Sequence, residues 1–325
     1  MTAYDVHGVA LDVRAASPAV LAQMDLRLRG FEAPAEGADS LRLEFLEGGE
    51  HALSPPSDAS RPIYDTPYGP VRYFPDTDAL WGDLHGVRMR CDASAGVARL
   101  QCESFYGREL YLATHPLATI ALMELLERRG RYALHAGCLA EDGAGVLVAG
   151  PTGSGKSTLT LALVQAGLGF VSDDLVFLTA EGEALGFADA AGITDDSARR
   201  FGLEHLAKPA GFPKRLVRAE DAFGVTPVAR CAPRLLVFPE VAYDTPGELL
   251  DLDPGEAYLR LVPDVLLTQP AGTQSHLAAI SALLARVRCY TLRSGTDLGY
   301  TAALVRQALV ENASPDGEGV APRPL

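Results

Sequence analysis

The residues best suited to chemistry lie in one short stretch, Gly150-Pro151-Thr152-Gly153-Ser154-Gly155-Lys156-Ser157-Thr158. This stretch fits the phosphate-binding pattern G-x-x-x-x-G-K-[ST]. Glycines let the backbone turn its N–H groups toward phosphate oxygens, a lysine reaches the outer phosphates, and a hydroxyl ligates Mg²⁺. The sequence therefore predicts a nucleoside triphosphate site at residues 150–158, with Lys156 on the phosphates and Ser157 on Mg²⁺.

The segments on either side of this loop predict the elements that position it. Residues 145–149 form an apolar run typical of a buried strand, and residues 159–167 continue as a helix. A helix that begins near Lys156 directs its free N–H groups and positive dipole end at a bound anion. The order strand, turn, helix favours a phosphate loop over an ordinary glycine-rich turn with an incidental lysine.

Two adjacent aspartates, Asp173 and Asp174, interrupt the next apolar run, residues 170–178. Carboxylates in an apolar strand cost solvation free energy unless a cation satisfies them. Mg²⁺ and a phosphoryl group in transfer would do so, and Asp173 is then a predicted Mg²⁺ ligand. The alternative is a solvated strand end or a bend.

A histidine, His135, lies within the apolar run 132–139, which precedes the loop strand. The turn at residues 141–143 predicts that these two strands pair as an antiparallel hairpin. Taken alone, a single histidine in such a strand is more often a core residue than a site residue.

The segment from His135 to Val176 resembles the catalytic domain of the HPr kinase/phosphorylase family. In that family a His-Gly strand, a P-loop and an Asp-Asp strand follow one another; here Lys156 lies 21 positions after His135, and Asp174 lies 18 positions after Lys156. HPr-kinase-related P-loop kinases of unassigned substrate are a nearer likeness than the regulatory enzyme. The resemblance implies an α/β fold (α+β overall) with a P-loop kinase core of the HPr kinase/PEP carboxykinase-like type.

The resemblance also implies roles for individual residues. Asp174 matches the catalytic base, Lys156 and Ser157 match the phosphate and magnesium contacts, and His135 matches a histidine near the reacting phosphate. The family's downstream Glu-x-Arg-Gly-x-Gly string is absent from this chain. Asp195, Asp196 or Arg199 could substitute for it, although their order differs. Because this string is absent, two questions stay open: whether HPr is the acceptor, and whether the reverse phosphorylase reaction occurs.

The chain divides by pattern into three parts. Residues 1–112 predict a mostly antiparallel α+β module of unknown role, with a helix over 18–29 and a hairpin of 87–91 with 98–102. Residues 113–312 predict the catalytic domain, and residues 313–325 a disordered tail. Five aromatic residues of the first module are expected to pack in its core rather than line a ligand groove: Tyr64, Tyr68, Tyr73, Phe74 and Trp81.

Further elements are predicted after residue 112. Helices are expected from Thr114-His115-Pro116 to residue 128 and at 254–259, 275–285 and 296–311. Strands are expected at 234–239 and 289–292, and an acidic loop is expected over 244–253. The basic cluster from Lys208 to Arg218 either binds an anion, from the acceptor or the triphosphate, or is a solvated loop.

Composition excludes several classes of protein. The chain has 325 residues and a formal net charge of −14, which argues against a general nucleic-acid or anionic-membrane binder. The five cysteines are widely scattered, no apolar run reaches the length of a membrane span, and the N-terminus lacks the pattern of a signal peptide. These features predict a reduced, cytoplasmic setting; a homo-oligomer is compatible with them.

The favoured hypothesis is an ATP-dependent kinase that transfers the γ-phosphoryl group of Mg-ATP to a hydroxyl, serine-like, on a peptide, a protein or a small molecule. Asp174 accepts the hydroxyl proton in this hypothesis. The alternative is an ATP-gated binding or regulatory module without phosphotransfer, and a P-loop NTPase coupled to motion is a weaker third hypothesis.

Overall fold

The computed structural model describes most of the chain, in two compact units. The described residues are 1–33, 40–48, 53–56, 60–66, 68–206, 214–242, 246–266 and 272–313. The first unit comprises Met1–Arg131 with Leu267–Gln274, and the second comprises Tyr132–Leu266 with Ser275–Leu325. The chain is mixed α+β, and all but the first residue of the predicted disordered tail lie outside the described residues.

An eight-stranded sheet forms the body of the first unit. Its strands are Thr2–Asp5 (β1), Ala10–Ala15 (β2), Ser40–Glu47 (β3), Arg61–Thr66 (β4), Gly69–Phe74 (β5), Ala79–Leu84 (β6), Val87–Asp92 (β7) and Val97–Cys102 (β8). They lie in the order β1-β2-β3-β8-β7-β6-β5-β4, and every neighbouring pair is antiparallel except β2 with β3 and β3 with β8. The sheet is therefore mostly antiparallel, and the predicted hairpin of β7 with β8 is confirmed.

Most of the aromatic residues of this unit belong to its core, as predicted. Tyr73, Phe74 and Trp81 are buried. Tyr68 is half-buried, and the side chain of Tyr64 lies outside the described residues. Burial of large rings on one sheet is a packing role, because each contributes a large apolar area to the core.

The helices of the first unit are Pro18–Arg27 (α1), Gly107–Leu112 (α2) and Ala118–Glu127 (α3). A π-helical turn over Ala113–Leu117 joins α2 to α3. The prediction that a helix opens at Thr114 was wrong, because the helical run begins earlier and contains Pro116. Proline has no N–H to donate and crowds the preceding turn, and the wider π-turn accommodates it.

The division between the units falls after Arg131, further along the chain than the 112/113 boundary expected from sequence. Contacts of α3 with the rest of the first unit account for the difference. Arg128 donates to Asp78 at 2.6 Å, and Arg27 donates to the Thr119 hydroxyl at 2.9 Å. The amphipathic pattern of this helix showed a buried face but not which core would cover it.

The second unit contains a nine-stranded sheet and a separate two-stranded one. The strands are Tyr132–Leu134 (β9), Gly137–Glu141 (β10), Ala144–Val148 (β11), Gly169–Ser172 (β12), Val176–Leu178 (β13), Ala184–Gly186 (β14), Ala191–Ile193 (β15), Arg215–Val217 (β16), Arg230–Val241 (β17), Glu248–Asp251 (β18) and Arg288–Ser294 (β19). The large sheet has the order β12-β10-β11-β17-β14-β13-β9, with β19 pairing both β17 and β18, while β15 pairs β16. Strands β11, β17 and β19 run parallel to one another.

Helices cover both faces of the large sheet. The helices after residue 131 are Lys156–Gln165 (α4), Asp195–Arg200 (α5), Ala219–Phe223 (α6), Pro254–Leu261 (α7), Thr273–Leu284 (α8) and Leu298–Ala313 (α9), of which α5 packs instead with β15 and β16. Val146 of β11 packs in a core with residues of α4 and α9, whereas Leu147 packs with residues of α7 and α8. Burial on both faces explains why β11 is an uninterrupted apolar run.

Several predicted elements of this unit are confirmed and others are corrected. The β10–β11 hairpin, the strands at 234–239 and 289–292, and the three helices after residue 253 are present. The predicted strand over 132–139 is two strands, β9 and β10, and the run over 170–178 is likewise β12 and β13. Part of the expected acidic loop is the strand β18, in which only Leu249 packs against a core and the other three residues are exposed, so the sequence shows no alternating pattern there.

Two further features bear on the expected setting of the protein. All five cysteines are free and buried. Within the described ranges, none of the helices combines the length and apolarity that a bilayer span requires.

Candidate functional site

The loop between β11 and α4 has the backbone that its glycines allow. Gly150, Gly153 and Gly155 have φ values of +130°, +87° and +101°, which side-chain-bearing residues rarely adopt. Gly155 is the N-cap of α4, and Lys156 is the first helical residue. The predicted order strand, glycine loop, helix is confirmed.

Gly150, the first residue of this loop, is held through both of its backbone polar groups. Its N–H donates to Asp264 Oδ2 at 2.9 Å, and its carbonyl oxygen accepts from Lys156 Nζ at 2.6 Å. Lys156 is buried, with 7% of its surface exposed. The backbone oxygen of Gly150 thus holds the Lys156 ammonium group beside the loop.

Asp264 is a site residue that the sequence analysis missed. It ends a short 3₁₀ turn, Val262–Asp264, after α7, and its backbone oxygen accepts from the His135 N–H at 2.8 Å. Burial raises the pKa of its carboxyl group, while the Gly150 N–H and the charges of His135 and Lys156 oppose that rise. A single aspartate after Val-Pro carries no motif, so no local signal could have identified it.

His135 lies in the break between β9 and β10. Its Nδ1 is 2.9 Å from the backbone oxygen of Asp174. A carbonyl oxygen only accepts hydrogen bonds, so Nδ1 carries the proton and Nε2 is left for a ligand.

The breaks in the strands bring His135 and the two aspartates together. Strand β10 pairs with β12 up to Ser172, and β9 pairs with β13 from Val176. The break at His135–Ala136 therefore lies beside the break at 173–175. Three polar residues that looked like interruptions of two strands meet at one place in the sheet.

Asp173 is buried, with 2% of its surface exposed. Neither carboxylate oxygen has a hydrogen-bond partner among the described residues. Burial, then the charge of Asp174, raises its pKa to about 7, whereas the nearby Ser157 and Thr160 hydroxyls and Lys214 favour the ionised form. An unsatisfied buried carboxylate beside a hydroxyl is costly unless a cation is bound.

The donor set at Asp173 and Ser157 fits Mg²⁺. Both supply oxygen, and Mg²⁺ usually takes one or two protein oxygens together with substrate phosphates and water. Within the described ranges there is no group of three or more His, Cys, Asp or Glu side chains that could hold a metal by themselves. Asp173 and Ser157 therefore suit a Mg²⁺ ion whose remaining ligands include phosphate oxygens.

A cavity of about 410 Å³ joins these residues. It lies at the carboxyl ends of the parallel strands β11, β17 and β19, which is where ligands bind in open α/β sheets. It is lined by side chains of the glycine loop and α4, of the two strand breaks, of residues 192–200 and of residue 214. These side chains are Lys156, Ser157, Thr158, His135, Asp174, Asp196, Arg200 and Lys214. Asp174 is exposed there, unlike its neighbour Asp173.

The residues considered as substitutes for the family's arginine-containing string fall on the short helix α5. Asp196 lines the cavity, whereas Asp195 and Arg199 do not. Asp195 instead accepts from Arg215 at 3.0 Å. Arg200, which the sequence analysis did not single out, lines the cavity and pairs with Asp196 at 3.1 Å.

The basic cluster is divided by the fold. Lys214 lines the cavity, Arg215 pairs with Asp195, and Arg218 is buried against Glu220 at 3.0 Å. Lys208 lies outside the described residues. Neither alternative reading of the cluster holds for all of its members.

No protein-family model and no curated protein sequence matches this chain. Among solved structures, the chain is similar to the Hpr(Ser) kinase/phosphatase from Coxiella burnetii, with 18% sequence identity over 56% of this chain and 89% of that chain. The TM-score of 0.30 indicates a distant structural relation only.

Proposed function

We propose that this protein is an ATP-dependent phosphotransferase that moves the γ-phosphoryl group of Mg-ATP to the hydroxyl of an acceptor. The observation that carries the proposal is the shared cavity. The end of a glycine loop, a helix N-terminus, Lys156, His135 and Asp174 all line it. The arrangement supports a P-loop kinase core of the HPr kinase/PEP carboxykinase-like type.

The loop and α4 supply the phosphate-binding groups. Backbone N–H groups at residues 152, 153 and 155–157 and the positive end of α4 would attract the phosphates. Lys156 adds a full charge, and it already lies at the carbonyl oxygen of Gly150. Binding would exchange that carbonyl for a phosphate oxygen, a stronger acceptor for an ammonium group.

Ser157 and Asp173 would hold Mg²⁺, which neutralises negative charge on the phosphates when bound. The buried carboxylate of Asp173 forms no hydrogen bond of normal geometry among the described residues, although the Ser157 and Thr160 hydroxyls lie near it, and a cation would remove that cost. A bound cation would thus stabilise a carboxylate that burial disfavours.

Asp174 would accept the proton of the acceptor hydroxyl. As that oxygen bonds to the γ-phosphorus, the bond from phosphorus to the β–γ bridging oxygen breaks and ADP leaves. A carboxylate that is exposed to the cavity suits this role, because it must meet a substrate atom. His135, whose Nδ1 donates to the Asp174 backbone oxygen, would present Nε2 near the transferred group.

The acceptor is a hydroxyl-bearing peptide, protein or small molecule. To identify it, the full chain is incubated with γ-labelled ATP and a host extract, and wild type is compared with Asp174→Asn. We expect label on an acceptor with wild type alone, and equal ATP affinity for the two proteins by calorimetry. Equal labelling by the variant would overturn the role of Asp174.

A second outcome separates enzyme from switch. If wild type binds Mg-ATP but labels nothing in extracts or peptide mixtures, the protein is an ATP-gated binding module and the phosphotransfer proposal fails. If wild type does not bind ATP at all, the nucleotide site itself is refuted.

A further inference from the structure

Three lysine and arginine side chains line the cavity in the described part of the chain, and they differ in their partners. Lys156 donates to the backbone oxygens of Gly150 and Pro151. Arg200 forms an ion pair with Asp196 at 3.1 Å. Lys214 has neither a hydrogen bond nor an ion pair among the described residues. Its charge is the one left for a ligand.

The small sheet of β15 and β16 holds Lys214 at this wall. Lys214 immediately precedes β16, whose Leu216 lies opposite Gly192 of β15. Ile193 and Val217 of this sheet pack with Leu161 of α4 in one buried cluster. The wall that carries Lys214 is therefore attached to the helix whose N-terminus closes the glycine loop.

Gly192 leaves room for the side chain of Lys214. A Cβ atom at Gly192 would lie 3.2 Å from Lys214 Cδ and 3.9 Å from Lys214 Nζ. The lysine stem thus lies across a glycine, and a methyl group there would push the stem by a few tenths of an ångström. This contact gives a second way to move the ammonium group without removing it.

Lys214 lines the same cavity as Lys156, Ser157 and Asp174. These are the residues proposed to hold the phosphates, the metal and the proton of the acceptor. The ammonium group of Lys214 therefore belongs to the cavity in which the phosphoryl group would be transferred.

We propose that Lys214 is a second phosphate-binding cation, which contacts the terminal phosphoryl group of the bound triphosphate. This inference rests on the proposed function. It adds a way to distinguish a triphosphate from a diphosphate, because a group that contacts only the terminal phosphoryl cannot contribute to binding of the product nucleotide. It also places a positive charge where charge develops during transfer.

The test measures the affinities of Mg-ATP and Mg-ADP for the full chain by calorimetry. For Lys214→Gln we expect ATP affinity to fall about tenfold to a hundredfold, the range for a lost charged hydrogen bond. ADP affinity should remain within about twofold of wild type. Lys214→Arg should recover part of the ATP affinity, and Gly192→Ala should weaken ATP binding in the same selective way.

Arg215→Gln is the matched control. Arg215 is the next residue along the chain, but its partner Asp195 does not line the cavity, so both affinities should stay unchanged. Equal loss of ATP and ADP affinity in Lys214→Gln, or no loss of either, overturns the inference. So does a variant that keeps both affinities and raises only the KM of the acceptor, because Lys214 would then bind the acceptor's anionic group.

These results also separate this inference from the proposed function. Wild type that binds neither nucleotide refutes both. Wild type that binds and transfers, with an unaltered Lys214→Gln variant, refutes the role of Lys214 alone. Thermal unfolding of each variant without nucleotide shows whether it is folded as wild type is.

Discussion

Asp173 and Asp174 are adjacent in sequence and lie in opposite environments. Asp173 is buried and forms no hydrogen bond of normal geometry among the described residues, whereas Asp174 is exposed in the cavity. A buried carboxylate needs a cation or a hydrogen-bond donor, whereas an exposed one can meet a ligand directly. This difference in exposure fits the two proposed roles, Asp173 as a metal ligand and Asp174 as the proton acceptor.

The burial of Asp173 leads to a prediction about stability and pH. Its folded-state pKa is raised from 3.8 to about 7, so between these values the folded state binds a proton that the unfolded state has lost. Stability contributed at this site therefore falls as pH rises from about 4 to about 7. In a metal-chelating buffer, we expect Asp173→Asn to raise the Tm clearly at pH 8 and little at pH 4.

Asp251→Asn provides the control, since Asp251 lies on the exposed strand β18 with 82% of its side chain accessible. It should change the Tm about equally at both pH values. If Asp173→Asn lowers the Tm at pH 8 in the chelating buffer, the buried carboxylate is not a destabilising charge and the assignment of a cation there loses its support.

At the scale of elements, the turn after α7 connects two parts of the site. Asp264 receives the Gly150 N–H through its side chain and the His135 N–H through its backbone. Leu134 forms a bridge with Val265, and the Leu266 N–H donates to the Ala133 oxygen. The turn thus fixes the end of β9 and the start of the glycine loop together.

Removing the Asp264 side chain should loosen this connection. We expect Asp264→Ala to lower the free energy of unfolding by about 1–3 kcal/mol, because the buried Gly150 N–H loses its acceptor. Asp264→Asn retains an acceptor oxygen and should cost less. Urea unfolding measures the difference, and equal losses in the two variants would show that charge, rather than the hydrogen bond, is what matters.

The contact of β10 with α4 depends on Gly137. A Cβ atom there would lie 2.5 Å from Thr160 Oγ1 and 3.3 Å from the Asp173 backbone oxygen. We expect Gly137→Ala to destabilise the protein by about 1–3 kcal/mol through overpacking. The cost should shrink in a Thr160→Ala background, because that change removes the clashing oxygen; a double-mutant cycle from urea unfolding tests this. An unchanged cost would place the strain elsewhere.

At the scale of the whole molecule, the cavity belongs to one compact unit. Every residue that lines it lies in the second unit, at the carboxyl ends of its three parallel strands.

Hydrogen exchange should therefore become slower when Mg-ATP is added, in the glycine loop, in the first turn of α4, and in segments 172–174 and 192–197. Ligand binding stabilises what it contacts. Mass spectrometry of peptides from the full chain measures this, and unchanged exchange across residues 150–160 would contradict the site.

Local interactions account for what the sequence could predict. The glycine loop, the N-terminus of α4 and the β10–β11 hairpin each depend on neighbours within about ten residues, through backbone angles, capping and turn geometry. The regular apolar runs of β11 and β17 likewise follow from burial on both faces. These features could therefore be recognised from the spacing and types of residues in the sequence.

Long-range pairing decided the rest. Asp264 meets Gly150 across 114 positions of sequence, and no local pattern encodes which carboxylate will reach a given N–H. The same holds for Lys214, which the β15–β16 pairing separates from the other basic residues around it, and for the breaks that set His135 beside Asp174. The sequence by itself determined a glycine loop between a strand and a helix, with a lysine at the start of that helix. The pairing of distant strands decided which charges share the cavity beside this loop, because hydrogen bonds and burial act through space rather than along the chain.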